Sequence, residues 1–95
     1  MEETREHLLA KSEELFGTER YGEALAQYRN LAETGHPRAQ LMVGWIYHHG
    51  LELQANIEEA RKWYSLAAGQ GSMEAQFNLG VVCMKQGDFA SGRDW

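Results

Sequence analysis

Residues 39–50, AQLMVGWIYHHG, are answered by residues 75–86, AQFNLGVVCMKQ, so that Ala39, Gln40 and Gly44 return 36 residues later as Ala75, Gln76 and Gly80. The same spacing holds upstream: Ala24, Tyr28, Ala32, Gly35 and Ala39 are followed by Ala60, Tyr64, Ala68, Gly71 and Ala75. A fixed period of this size marks a solenoid, in which each unit buries its apolar face only by stacking on a neighbour. Chains of this kind present an extended surface to something else, and catalytic machinery on them is uncommon.

Local patterns place helices inside each period. Leu8, Leu9, Leu15 and Phe16 predict a first helix over about 2–16, ended by Gly17 and Thr18. Ala24, Leu25, Tyr28 and Leu31 form an i, i+3, i+4, i+7 stripe for a second helix over 21–34, stopped by Gly35. Pro37 suits the first position of a third helix over 37–49. Asn56 caps a fourth, where Glu59 can complete a capping box, and Gly69-Gln70-Gly71 ends it. Ser72 caps a fifth, running to about Gln86, and a last helix begins at Phe89.

The expectation is an all-α chain of antiparallel helix pairs forming one repeat domain over 1–95. Its units are about 2–35, 36–71 and an incomplete third, 72–95. GDFASGRDW aligns with ANIEEARKW and sets Trp95 on Trp63, a shift of 32 residues, because the later turn lacks the four-residue extension of the earlier loop. A final pair broken in this way suggests a piece of a longer array.

Two helices cross closely only where small residues line the contact. Gly44 and Gly80, with Ala24, Ala39, Ala60 and Ala75, are the candidates for that clearance. A helical glycine costs roughly 1 kcal/mol relative to alanine, so its repetition implies a packing reason.

Composition narrows the function. A formal charge of −5 and a pI near 5.3, with nine scattered Lys and Arg, argue against a general nucleic-acid binder. They argue equally against attachment to anionic lipid, and no apolar run approaches the length of a membrane span. The single cysteine, Cys83, cannot form an internal disulfide, and the acidic start MEETREHLLAKSEELF is unlike a signal peptide. The expected setting is cytoplasmic.

The central unit resembles the Sel-one-like repeat, a relative of the tetratricopeptide repeat. The residues that carry the likeness are Ala39, Val43-Gly44, Tyr47, Gly50, Leu53, Asn56, Ala60, Trp63-Tyr64, Ala67-Ala68 and Gly71. Glu52 stands where a second loop glycine is usual, Leu53 replaces Val and Asn56 replaces Asp. The flanking units, with short turns at 18–20 and at Gly87-Asp88, look more like ordinary tetratricopeptide repeats. Lys11 occupies a position that is usually apolar, as fits a first helix with nothing before it. The resemblance implies an α-solenoid with a right-handed superhelix that scaffolds or binds proteins and peptides, without cofactors.

It also implies that the first helix of each pair lines a concave groove. The exposed groove positions would then be Arg38, Leu41, Trp45, His48 and His49 in the middle unit. Glu74, Phe77, Val81, Met84 and Lys85 would extend the strip. Trp45, Phe77 and Met84 are candidate anchors for a protein or peptide partner, or else bury themselves between units; the sequence leaves both open.

Other constellations are weak. His48 and His49 near Glu52 invite a metal, but adjacent helical side chains point about 100° apart and helical metal pairs favour i, i+4, so a structural or solvated pair is expected. Cys83, at the position of Tyr47, is expected to be a small core residue. An alternative is a hydrolytic enzyme like cysteine-rich relatives of the repeat, but those pair cysteines within each unit, and no GxSxG, SxxK or HExxH motif occurs here. A further alternative is homodimerisation through an open C-terminal end, where Leu79, Val82, Phe89 and Trp95 would lack cover.

Overall fold

The computed structural model describes residues 4–85. Over this range the chain forms five α-helices of 13 residues: α1 Arg5–Gly17, α2 Tyr21–Glu33, α3 Pro37–His49, α4 Ile57–Gly69 and α5 Met73–Lys85. The boundaries follow from where the first orphan N–H groups find acceptors. The Thr4 hydroxyl accepts from His7 N–H at 3.0 Å, His36 Nδ1 from Ala39 at 3.3 Å, Asn56 Oδ1 from Glu59 at 3.1 Å and Ser72 Oγ from Ala75 at 3.1 Å. The helix expected at Phe89 lies outside the described residues.

Helix α2 begins differently. Its N-cap, Arg20, makes no side-chain capping bond, its guanidinium pairing instead with Glu23. The acceptor comes instead from the loop after α3, where Glu52 Oε1 takes the Gly22 N–H at 2.8 Å. Glu52 has φ +62°, the left-handed conformation for which the repeat pattern usually supplies glycine. The departure from the pattern is thus a trade: backbone strain at Glu52 is offset by a cap on another helix.

The capping box at α4 forms only by half. Glu59 does not turn back to the Asn56 N–H, which donates to the Tyr47 carbonyl at 2.9 Å. The Glu59 carboxylate accepts from the Trp63 indole N–H at 3.3 Å.

Three turns share one geometry. After α2, His36 N–H bonds the Leu31 carbonyl and Gly35 N–H that of Ala32; after α4, Ser72 and Gly71 do the same to Ala67 and Ala68. After α1, Arg20 and Glu19 repeat the pattern on Leu15 and Phe16. This is the Schellman closure, which needs a left-handed residue at its C′ position. Gly35 and Gly71 (both φ +95°) meet the need without strain, whereas Glu19 meets it at φ +63°.

Each helix packs chiefly on its neighbours in sequence, giving an elongated body of 54 × 27 × 17 Å. Two apolar clusters run through it. One gathers Ala24, Tyr28, Leu31, Ala39, Val43, Ile46 and Trp63; the other gathers Leu41, Ala60, Tyr64, Ala67, Ala75 and Val82. The side chain of Tyr47 touches both. The architecture is an all-helical solenoid.

The clearance expected at Gly44 is real. A Cβ there would lie 2.7 Å from Cδ1 and 2.8 Å from Cε1 of Tyr64. At Gly80 a Cβ meets no described atom within 4 Å, and the stretch that would supply the crossing helix lies outside the described residues. In the first unit the matching residue is Ser12, as Lys11-Ser12 stands 32 residues before Val43-Gly44. Ser12 is fully buried, its hydroxyl satisfied by the Leu8 carbonyl at 2.8 Å.

The glutamines of the repeated Ala-Gln pair have a structural use. Gln40 Nε2 donates to the Ala32 carbonyl at 3.2 Å, and Gln76 Nε2 donates to that of Ala68 at 3.4 Å, the same bond one period apart. Gln70 Nε2 then ties both turns together, donating to the Gly35 carbonyl at 2.8 Å and to Gln40 Oε1 at 2.9 Å.

Two expectations for the C-terminal end are corrected. Val82 is fully buried among Leu41, Ala60 and Tyr64, and Leu79 is partly buried against the same cluster, so neither lacks cover. Phe89 and Trp95 lie outside the described residues. Cys83 is partly exposed rather than a core residue.

Candidate functional site

The first helices of the pairs, α1, α3 and α5, contribute to one surface, and Arg38 spans it. Its Nε donates to Glu13 Oε2 of α1 at 2.9 Å, and its Nη1 lies 3.9 Å from Glu74 Oε1 of α5. Beneath and beside this row lies a cleft of about 200 Å³ lined by Phe16, Arg38, Leu41, Met42, Trp45 and Glu74. The floor residues Leu41 and Met42 are buried, while Trp45 and Phe16 are partly exposed walls.

An aromatic group extends the cleft along α3. The Trp45 and His49 rings, one helical turn apart, lie 4.1 Å centroid to centroid, and His49 stacks on His48 at 4.4 Å. His48 turns inward. Its Nδ1 shares a 3.2 Å hydrogen bond with the Tyr64 hydroxyl, and the two rings meet edge to face.

The matching pair in the first unit is Phe16 and Tyr28, whose rings also meet edge to face. Phe16 stands 32 residues before His48 and cannot accept or donate. The Tyr28 hydroxyl accordingly finds no hydrogen-bond partner among the described residues. Burial pushes both phenols well above their ordinary range; the charge of Glu13 adds to this at Tyr28, against Arg38, and that of Glu74 adds to it at Tyr64.

Two sequence-derived groove positions, Leu41 (3% exposed) and His48 (7% exposed), are not exposed as expected. The α4 helix covers them, Leu41 within the cluster of Ala60 and Tyr64 and His48 through the Tyr64 hydroxyl. Phe77 (72% exposed) and Met84 (63% exposed) hold the same positions one period later, and the segment that would answer α4 there lies outside the described residues. Arg38 and His49 are exposed, Trp45 and Val81 are partly exposed, and Lys85 ends α5.

Two cleft residues, Phe16 and Met42, and Glu13, which pairs with Arg38 at the rim, carry no groove signal in the sequence pattern alone. The 32-residue alignment of the first unit on the second, already marked by Lys11 and Val43, would have brought in Phe16 as the counterpart of His48. Among the described residues no three His, Cys, Asp or Glu side chains converge to hold a metal. No helix among them is long and apolar enough to cross a membrane.

The comparison with protein families decides the identity of the repeat. The Sel1 repeat model matches residues 37–72 and 74–94, well over half of the chain. The chain belongs to the Sel1 repeat family. Sel1 repeats are helical solenoid repeats that generally serve as protein–protein interaction modules. This one is 40% identical over 42 residues to a putative Sel1-like repeat-containing protein, L21, of Acanthamoeba polyphaga mimivirus, covering 44% of this chain and 8% of the viral protein. It is 43% identical over 44 residues to the chitin synthase regulator SKT5 of Saccharomyces cerevisiae, covering 46% of this chain and 6% of the yeast protein. The matches thus span less than a tenth of either relative's length. No solved structure matches.

Proposed function

We propose that this Sel1 repeat chain is a non-catalytic interaction module and that the cleft over α1, α3 and α5 is the surface that receives its protein or peptide partner. The observation that carries the reading is the setting of Trp45. Its ring stays partly exposed beside the buried floor of Leu41 and Met42, with Arg38 and two carboxylates at the rim. An aromatic wall around a dry floor, bordered by polar groups, is the usual composition of an interface centre. The yeast relative is described as a regulator of an enzyme, chitin synthase, which accords with an adaptor or scaffold role for this chain as well.

The test is affinity capture from a cell lysate with mass spectrometry, using the native chain beside Trp45→Glu, with circular dichroism confirming equal helicity. A protein held by the native chain and lost by the variant supports the reading. An identical set of proteins on both moves the site away from the cleft.

A further inference from the structure

The charges around the cleft specify the partner's chemistry. Two carboxylates, Glu13 and Glu74, face a single guanidinium, Arg38, which leaves the rim with an excess negative charge on a chain that already carries −5. Arg38 sits close to Glu13 but 3.9 Å from Glu74, so the Glu74 carboxylate keeps most of its accepting capacity. All three side chains are between 41% and 64% exposed. Ion pairs this exposed hold by about 0–1 kcal/mol, so an incoming cation can displace Arg38 at little cost. An incoming anion would have to separate Arg38 from Glu13 and then face both carboxylates.

The apolar part of the cleft sets the second requirement. Its volume of about 200 Å³ is below the roughly 300–1,000 Å³ of sites that enclose whole small molecules. It has room for one large side chain, packed against Trp45 and Phe16 above Leu41 and Met42.

We propose that the cleft takes a peptide segment in which a large apolar side chain neighbours a Lys or Arg. The apolar group fills the space beside Trp45, and the cation binds between Glu13 and Glu74. This inference rests on the cleft being the partner site.

Phage-displayed random peptides selected on the immobilised chain supply the probes, and fluorescence anisotropy of the labelled selected peptides gives their affinities. The expected sequences pair an apolar residue with an adjacent Lys or Arg. Trp45→Ala and the double variant Glu13→Gln, Glu74→Gln then each weaken binding about tenfold or more. Arg38→Gln strengthens it, because it removes the competing cation. Peptides that depend on Trp45 but show acidic or neutral flanks would overturn the assigned chemistry while leaving the cleft as the site. Peptides indifferent to Trp45→Ala, or no enrichment at all, would overturn both.

Discussion

The Tyr64 ring lies so close over Gly44 that a methyl group on the glycine would come within 2.7 Å of Cδ1. The contact sets how near α4 approaches α3, and with it the burial of Leu41 in the cluster that holds Tyr64 and of His48 at the Tyr64 hydroxyl. Gly44→Ala would gain about 1 kcal/mol from helix propensity alone. The overlap with a fully buried aromatic reverses the sign, and a net loss of about 1–3 kcal/mol is expected in urea unfolding. Gly69→Ala is the control. It sits at the end of α4, where an added methyl would meet no described atom within 4 Å, and it should stabilise by about 0.5–1 kcal/mol.

The two left-handed glutamates separate strain from function. Glu19 closes the α1 turn at φ +63° with an exposed side chain, so Glu19→Gly should raise stability by about 0.5–1 kcal/mol. Glu52, at φ +62°, also caps α2 through Gly22. There Glu52→Ala keeps the strain and loses the cap, at a cost of about 1 kcal/mol. Glu52→Gly trades one against the other and should fall within about 0.5 kcal/mol of the parent. Equal effects of glycine at 19 and 52, measured by thermal melts, would contradict the capping role.

The tyrosines at positions 28 and 64 are one period apart but differ in their hydroxyls. Tyr28→Phe removes a buried group that has no partner among the described residues and should be neutral or stabilising by up to about 1 kcal/mol. Tyr64→Phe takes the bond from His48 Nδ1 and should cost about 1–2 kcal/mol. Chemical denaturation of the two variants side by side reads the difference directly.

His36 gives the fold a pH dependence of known sign. As N-cap of α3 its Nδ1 accepts from Ala39, which needs the neutral ring. Burial, then the charge of Arg5, hold its pKa below the usual value; its own backbone hydrogen bond and Glu13 oppose this. The unfolded chain therefore binds the proton more readily. This contribution is intact above the unfolded value of about 6.5 and is lost as pH falls from there through the lower folded value. His36→Asn keeps an acceptor at the cap and should flatten this part of the stability profile between about pH 7 and pH 5.

Much of the fold was legible because its signals are local or periodic. Pro37, Asn56 and Ser72 announce their helices by chemistry at the first turn, and Gly44 announces the crossing by recurring where glycine is costly. The cleft was less legible. Periodicity gives the angle at which Leu41 and His48 leave α3, but not how far the Tyr64 ring of α4 reaches around to cover them. The Glu52 cap on Gly22 joins residues 30 apart in sequence, with no motif to signal it. Ser12 was hidden because serine in mid-helix reads as a surface residue until its alignment with Gly44 is drawn.

The most direct test of the cleft is hydrogen–deuterium exchange on the native chain, alone and with the protein that it captures and Trp45→Glu loses. Protection concentrated in α3 from Arg38 to His49, with smaller effects in α1 and the start of α5, is the predicted result. Protection confined to α2, α4 or the loop at 50–56, with α3 unchanged, would contradict the assignment.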